Sequence, residues 1–231
     1  MDYLLHISLL VLGVVGLTMC FVLADFQSVS FQEDRNLSDA RRLIALSFLA
    51  LSANSFAHDY WAMEILSPSV GIALDISSYF LIAILLSFAY IPLIDPTYLK
   101  NTKRKWFHIG SWLVSSVCLW VAAIFTYGGT TKILLSIVGL LCFSSILLIF
   151  TDFMRRYRKE SNMLTDSDVD TMGYFSRFMY RSVVIVACIG LASVVVTLFG
   201  NAVWKSYFHL FSAIMFFQLG MSFVNFVTNK R

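Results

Sequence analysis

Asp75 stands in the apolar stretch Gly71-Ile-Ala-Leu-Asp75-Ile-Ser-Ser78. A carboxylate inside such a run is costly in hydrocarbon and marks a candidate functional position. It lies about five residues from the start of its run, roughly 8 Å deep at ~1.5 Å per helical residue. Five other groups are expected at the same end of the molecule: His6 in the first run, His58 and Asp59 closing the second, and Lys205 and His209 opening the seventh. Lys205 and His209 are four apart and share one helix face. Asp75 is expected to pair with Lys205 or to accept a hydrogen bond from a histidine, because a lone buried charge is strongly destabilising. Three roles suit these residues. They form a structural polar network between helices, or an outward-open ligand pocket, or a metal site. His58, Asp75 and His209, with His6, are ligand types for zinc. The metal role is not favoured, since the residues are scattered over four helices without an HxxxH pair.

The elements that must carry these groups follow from composition. Of 231 residues, 58% are hydrophobic and 13% charged, against roughly half and a quarter in soluble domains. The apolar residues fall in runs of about twenty, enough for a helix to cross ~30 Å of hydrocarbon. The predicted class is an all-α membrane protein, a seven-transmembrane-helix bundle in one domain over residues 1–231. Spans are expected near 3–24, 43–63, 70–93, 106–127, 133–153, 182–200 and 203–226. The second is the weakest, interrupted by Ser52, Asn54 and Ser55. Cys20, Cys118, Cys142 and Cys188 lie inside apolar runs with no CxxC pair, and are expected to pack as small apolar residues. Met1-Asp2-Tyr3 lacks the basic start of a cleaved signal peptide, so the first run is expected to remain as a span.

Orientation follows from Lys and Arg, which short cytoplasmic loops retain. With seven spans, alternate loops collect fifteen of the seventeen on one side. This predicts the N-terminus outside and the C-terminus cytoplasmic. Six of them, Arg155, Arg156, Arg158, Lys159, Arg177 and Arg181, lie in the segment 152–181, predicted to be a cytoplasmic loop. Within it Thr165 is a candidate N-cap with Asp168 three residues on, and Asp166 and Asp168 suit the first turn of a helix leading into the sixth span. Arg155, Arg156, Arg158, Lys159, Asp166 and Asp168 are therefore the candidate contact for a cytoplasmic partner. Trp106, Trp112, Tyr127 and Trp204 fall near predicted interfaces, where amphipathic rings prefer to sit. Pro92 and Pro96 are expected to stop or kink the third helix. There is no Gly-rich phosphate loop, no GxSxG and no HExxH.

Three stretches carry a likeness. They are Asp39-Ala-Arg-Arg-Leu-Ile-Ala-Leu, then Arg155-Arg-Tyr-Arg-Lys-Glu-Ser-Asn-Met-Leu-Thr-Asp-Ser-Asp168, and Phe223-Val-Asn225-Phe226 before a basic tail. In these the chain resembles the N-terminal seven-span sensory region of bacterial membrane-anchored helix-turn-helix regulators of the AraC type. The resemblance implies a bacterial inner-membrane sensor that passes a small-molecule or lipid signal to a cytoplasmic output, a transcription-regulator domain that does not follow within these 231 residues. The expected partners are the bilayer, that ligand and a cytoplasmic output domain or protein, with no direct nucleic-acid contact, no cofactor and no catalytic residues. A second likeness involves Ser55 and His58, Asp75, and Lys205-Ser-Tyr-Phe-His209. Their placement is similar to that in the seven-span zinc hydrolases that include alkaline ceramidases and adiponectin-type receptors. That alternative implies zinc on His58, Asp75 and His209, but Lys205 stands where the family has a histidine.

Overall fold

A computed structural model of the chain describes residues 2–28, 31, 34–60, 68–98, 101–126, 128–163 and 169–228, with side chains throughout except at 2, 160–163 and 169–177. Among the described residues there are seven long helices and no strand: α1 (Asp2–Asp25), α2 (Arg35–Tyr60), α3 (Pro68–Ile94), α4 (Thr102–Phe125), α5 (Gly129–Met163), α6 (Val169–Phe199) and α7 (Ala202–Thr228). Helices satisfy every backbone donor and acceptor within one segment, which hydrocarbon demands. Six of the seven are long and apolar enough to cross a membrane. The exposed residues agree with that solvent. Val114, Val117, Val121 and Phe125 on α4, and Leu140, Leu141 and Leu148 on α5, are each about half exposed or more. A bundle in water does not leave apolar faces of that extent uncovered. The chain is an integral membrane protein of helical-bundle class.

Short polar side chains start three of the helices. Asp34 Oδ1 accepts from the backbone N–H of Asn36 at 3.0 Å and of Leu37 at 3.3 Å. Asn101 Oδ1 takes that of Arg104 at 3.3 Å, and Asn201 Oδ1 that of Trp204 at 3.0 Å. Each satisfies donors that the first turn leaves orphaned. Gly128 precedes α5 with φ +67°, a left-handed turn that glycine adopts without penalty. The cap expected at Thr165, with Asp166 and Asp168, lies outside the described residues.

Contacts between helices fix their directions. Ser52 Oγ donates to Gly13 O at 2.8 Å, Arg41 to Phe26 O, and His6 meets Asp59, so α2 runs back along the whole of α1. Asp75 faces Thr197 while Tyr90 packs on Phe178, so α3 and α6 are antiparallel. Gly139 lies beside Leu198 and Tyr157 beside Tyr180, which makes α5 and α6 antiparallel too. The end holding the start of α1 is called the top, and the other the bottom. Helices α1, α2, α3, α6 and α7 close one ring, and α3, α4, α5 and α6 close a second. Within the first ring α1 packs closely on α2: a Cβ on Gly16 would come within 3.0 Å of Phe48 O.

The helices run beyond the apolar spans expected within them. Helix α2 begins well before residue 43, because Asp34 caps it in the polar stretch ahead of the apolar run. Helix α5 continues past 153 to Met163, and α6 begins at Val169, so helix enters the segment 152–181 from both sides, with α6 covering the helix expected to lead into the sixth span. Charged side chains that leave the apolar layer do not end a helix, since Arg, Lys and Glu are good helix formers. Pro92 lies inside α3, which runs on to Ile94.

Candidate functional site

Helix periodicity places one polar face at the top of the first ring. On α2 the polar Ser55 and His58 continue the face of the apolar Leu51 at i, i+4 and i+7, and all three are buried. On α7, Lys205, His209 and Ser212 repeat the same spacing, also buried. Asp75 on α3 sits between these faces at 2% exposure. Its Oδ1 accepts from Asn54 Nδ2 at 3.0 Å, and His58 Nε2 lies 3.0 Å from the same oxygen. Its Oδ2 takes a long bond from Thr197 Oγ1 at 3.5 Å. One carboxylate thus joins α2, α3 and α6. His209 lies within electrostatic reach of Asp75, His58 and Lys205, bringing in α7.

The cluster is incompletely satisfied. Asn54 Oδ1, the Tyr79 hydroxyl, His209 Nδ1 and the Ser212 hydroxyl are buried with no hydrogen-bond partner among the described residues. Buried polar atoms in folded proteins are nearly always paired with protein or with water. Tyr79 and His209 both lie within electrostatic reach of Asp75, so the carboxylate has donors and acceptors near it that the described residues leave unused.

The six expected site residues divide. His58, Asp75, His209 and Lys205 belong to the buried cluster, and its direct bonds to Asp75 come from α2 and α6. His6 and Asp59 form a separate pair nearer the surface, with the His6 side chain 51% exposed. The sequence reading missed Asn54, Tyr79, Thr197 and Ser212. Asn54 reads in sequence as an interruption of an apolar run, although a polar residue there is itself a signal. Thr197 gave none, since hydroxyls in apolar helices commonly bond their own backbone, as Ser193 does to Gly190 O at 2.8 Å. Among the described residues, no group of three or more His, Cys, Asp or Glu side chains is placed to hold a metal ion.

The bottom of the bundle holds a second network. Arg156 on α5 pairs with Asp95, just beyond α3, and its Nε lies 3.4 Å from Asp152 Oδ2. Its guanidinium sits 4.9 Å from the centre of the Tyr98 ring, and that of Arg104 on α4 lies 5.1 Å from the same ring. The Tyr98 hydroxyl meets His108 Nε2 at 3.2 Å. Burial raises the Asp95 pKa, but the Thr97 hydroxyl, the Thr97 N–H and Arg156 together hold it below the ordinary carboxylate value. Burial, and then Asp152, push Tyr98 up to about 12. Arg156, expected as a partner contact, is therefore committed within the molecule, whereas Arg155, Arg158 and Lys159 are exposed. Trp112, expected at the interface, turns inward and donates to Ser77 O at 3.0 Å, while Trp106 and Trp204 stay largely exposed.

An apolar cleft between α3, α5 and α6, lined by Leu86, Tyr90, Phe150 and Val183 among others, lies away from Asp75. Its polar lining is Tyr90 and Ser87, whose hydroxyl donates to Ala83 O at 2.5 Å, with no charged or imidazole group, so the Asp75 cluster is the richer in chemistry. Compared with protein families, curated proteins and solved structures, the chain gave no match.

Proposed function

We propose that the chain is a transmembrane sensory domain of seven spans, with the N-terminus outside and the C-terminus in the cytoplasm, in a bacterial inner membrane. The ligand, a small molecule or lipid, acts on the Asp75 cluster, and a cytoplasmic output, such as a transcription-regulator domain, reads the result. The carrying observation is that one buried carboxylate touches α2 and α6 while α7 presents the unpartnered His209 Nδ1 beside it. A ligand that satisfies His209, Tyr79 or Ser212 has more to gain in one packing of α6 and α7 than in another, and differential affinity is what shifts such an equilibrium. Helices α6 and α7 both run from that cluster to the bottom of the bundle.

Seven spans, α2 included, are supported by α2 lying antiparallel along α1 and by the distribution of Lys and Arg. In a cysteine-free background, an impermeant thiol reagent on intact cells should label a cysteine at Gly128 and not one at Lys103. The reverse pattern overturns the orientation.

Signalling is tested by replacing the chromosomal gene with Asp75→Asn. At unchanged membrane abundance, a defined set of transcripts should change as in the deletion strain. Transcripts unaffected by both changes would remove the sensory reading. The zinc-hydrolase alternative uses the same residues but fits less well: the described geometry does not bring three ligands together, and Lys205 brings an ammonium. Stoichiometric zinc in purified protein would favour it.

A further inference from the structure

The bottom halves of α1 and α2 enclose a groove apart from both polar networks. Its apolar part, with a cavity volume of about 320 Å³, is lined by Leu23, Ala45, Leu46 and Leu49 and ends at Arg41 and Arg42. An adjoining bowl of about 300 Å³ is lined by Gln27, Ser28, Ser38 and Arg41. The two share Ala24 and Arg41, so they form one amphipathic channel on the surface. Along it come a hydrocarbon trough, then two guanidinium groups, then hydroxyls and an amide. That is the order of an acyl chain, a phosphate and a polar headgroup.

The arginines differ in a useful way. Arg41 is fixed, donating to Phe26 O and lying 4.6 Å over the Phe31 ring. Arg42 is 73% exposed, and its acidic neighbour Asp39 is 3.9 Å away and itself 53% exposed. An exposed pair of that length is worth little, and a guanidinium binds phosphate in a forked geometry that such a contact does not rival. Leu46 and Leu49 are nearly half exposed at the lip of the trough. In the seven-span topology proposed above, on which this inference rests, the trough opens to lipid rather than to water.

We propose that this groove binds one anionic glycerophospholipid, with an acyl chain between α1 and α2, its phosphate on Arg41 and Arg42, and its headgroup against Gln27, Ser28 and Ser38. Both anionic and zwitterionic lipids carry the phosphate, so the preference comes from the headgroup: beside two guanidinium groups a cationic choline is repelled and a neutral polyol is not.

The test is native mass spectrometry of the full chain with phosphatidylglycerol and phosphatidylcholine in competition. One phosphatidylglycerol should be retained at about tenfold lower lipid concentration than phosphatidylcholine, and Arg42→Gln should remove about tenfold of affinity. Lys105→Gln, an exposed charge at the same end, should leave the preference intact. Leu46→Trp should block retention by filling the trough while Arg42 remains. Equal retention of the two lipids overturns the proposal, as does an equal effect of Lys105→Gln. Displacement by inorganic phosphate at equal potency overturns it in favour of a soluble-phosphate site. Should Arg42→Gln fail to fold, retention by Leu46→Trp decides the matter alone.

Discussion

The guanidinium of Arg156 lies 4.9 Å from the centre of the Tyr98 ring while pairing with Asp95. One side chain thereby ties α5 to the loop between α3 and α4, and Arg104 adds α4 through the same ring. Arg156→Ala removes a cation–π contact and a partly buried ion pair. It should lower unfolding stability in detergent by about 1–2 kcal/mol. A double-mutant cycle with Tyr98→Phe should show little coupling, because the ring face that Arg156 covers survives.

The same network sets a pH dependence. The folded-state pKa of Asp95 is depressed, so its contribution is present above its unfolded value near 3.8 and is lost as pH falls through the lower folded value. The stability gap between the native chain and Asp95→Asn should be constant from pH 7 to 5 and close below about pH 4. Tyr98 acts at the other extreme. Its raised pKa gives a contribution fully present below about pH 10 and lost as pH rises through about 12. Tyr98→Phe should abolish that alkaline loss.

At the top of the bundle, substitutions should rank by how much they leave unpaired around Asp75. Thr197→Val removes only a 3.5 Å bond and should cost under about 1 kcal/mol. His58→Ala strips a close partner from a buried carboxylate and should cost about 1–3 kcal/mol. Asp75→Ala abandons Asn54 and His58 together and should cost the most. Thermal unfolding of the three in one detergent gives the order. An Asp75→Ala protein as stable as Thr197→Val would show that the carboxylate organises nothing.

Two glycines should respond oppositely. A Cβ on Gly16 meets Phe48 O at 3.0 Å, so Gly16→Val forces α1 and α2 apart and should cost about 1–3 kcal/mol. A Cβ on Gly110 meets nothing within 4 Å, so Gly110→Ala should be neutral or stabilise by up to about 1 kcal/mol through helix propensity.

The helices were legible because hydrocarbon imposes one solution on an apolar run of twenty residues. Their ends were not. Arg158, Lys159 and Glu160 read as loop by polarity, yet α5 passes through them, because helix continuity depends on backbone geometry and not on which solvent the side chains meet. Asp75 was legible as costly and His58 as its neighbour. Asn54 and Thr197 were not, because which face of a helix turns inward is decided by packing with helices distant in sequence. His6 and Asp59 pair with each other apart from the Asp75 cluster, because sequence conveys depth along a helix but not rotation about its axis.

Helix α2 is absent from the six helices that are apolar enough to cross a membrane by themselves. In the proposed topology this shapes the birth of the protein as well as its mature form. Carrying Ser52, Asn54, Ser55 and His58, α2 gains too little from lipid to leave the translocation channel alone. Its polar face is covered only once α1 lies along it and α3 supplies Asp75. Insertion should therefore wait for the third helix: an isolated segment 35–60 should fail to integrate into microsomal membranes, and a segment spanning 2–94 should succeed. The residues that make the site also make its assembly a joint event.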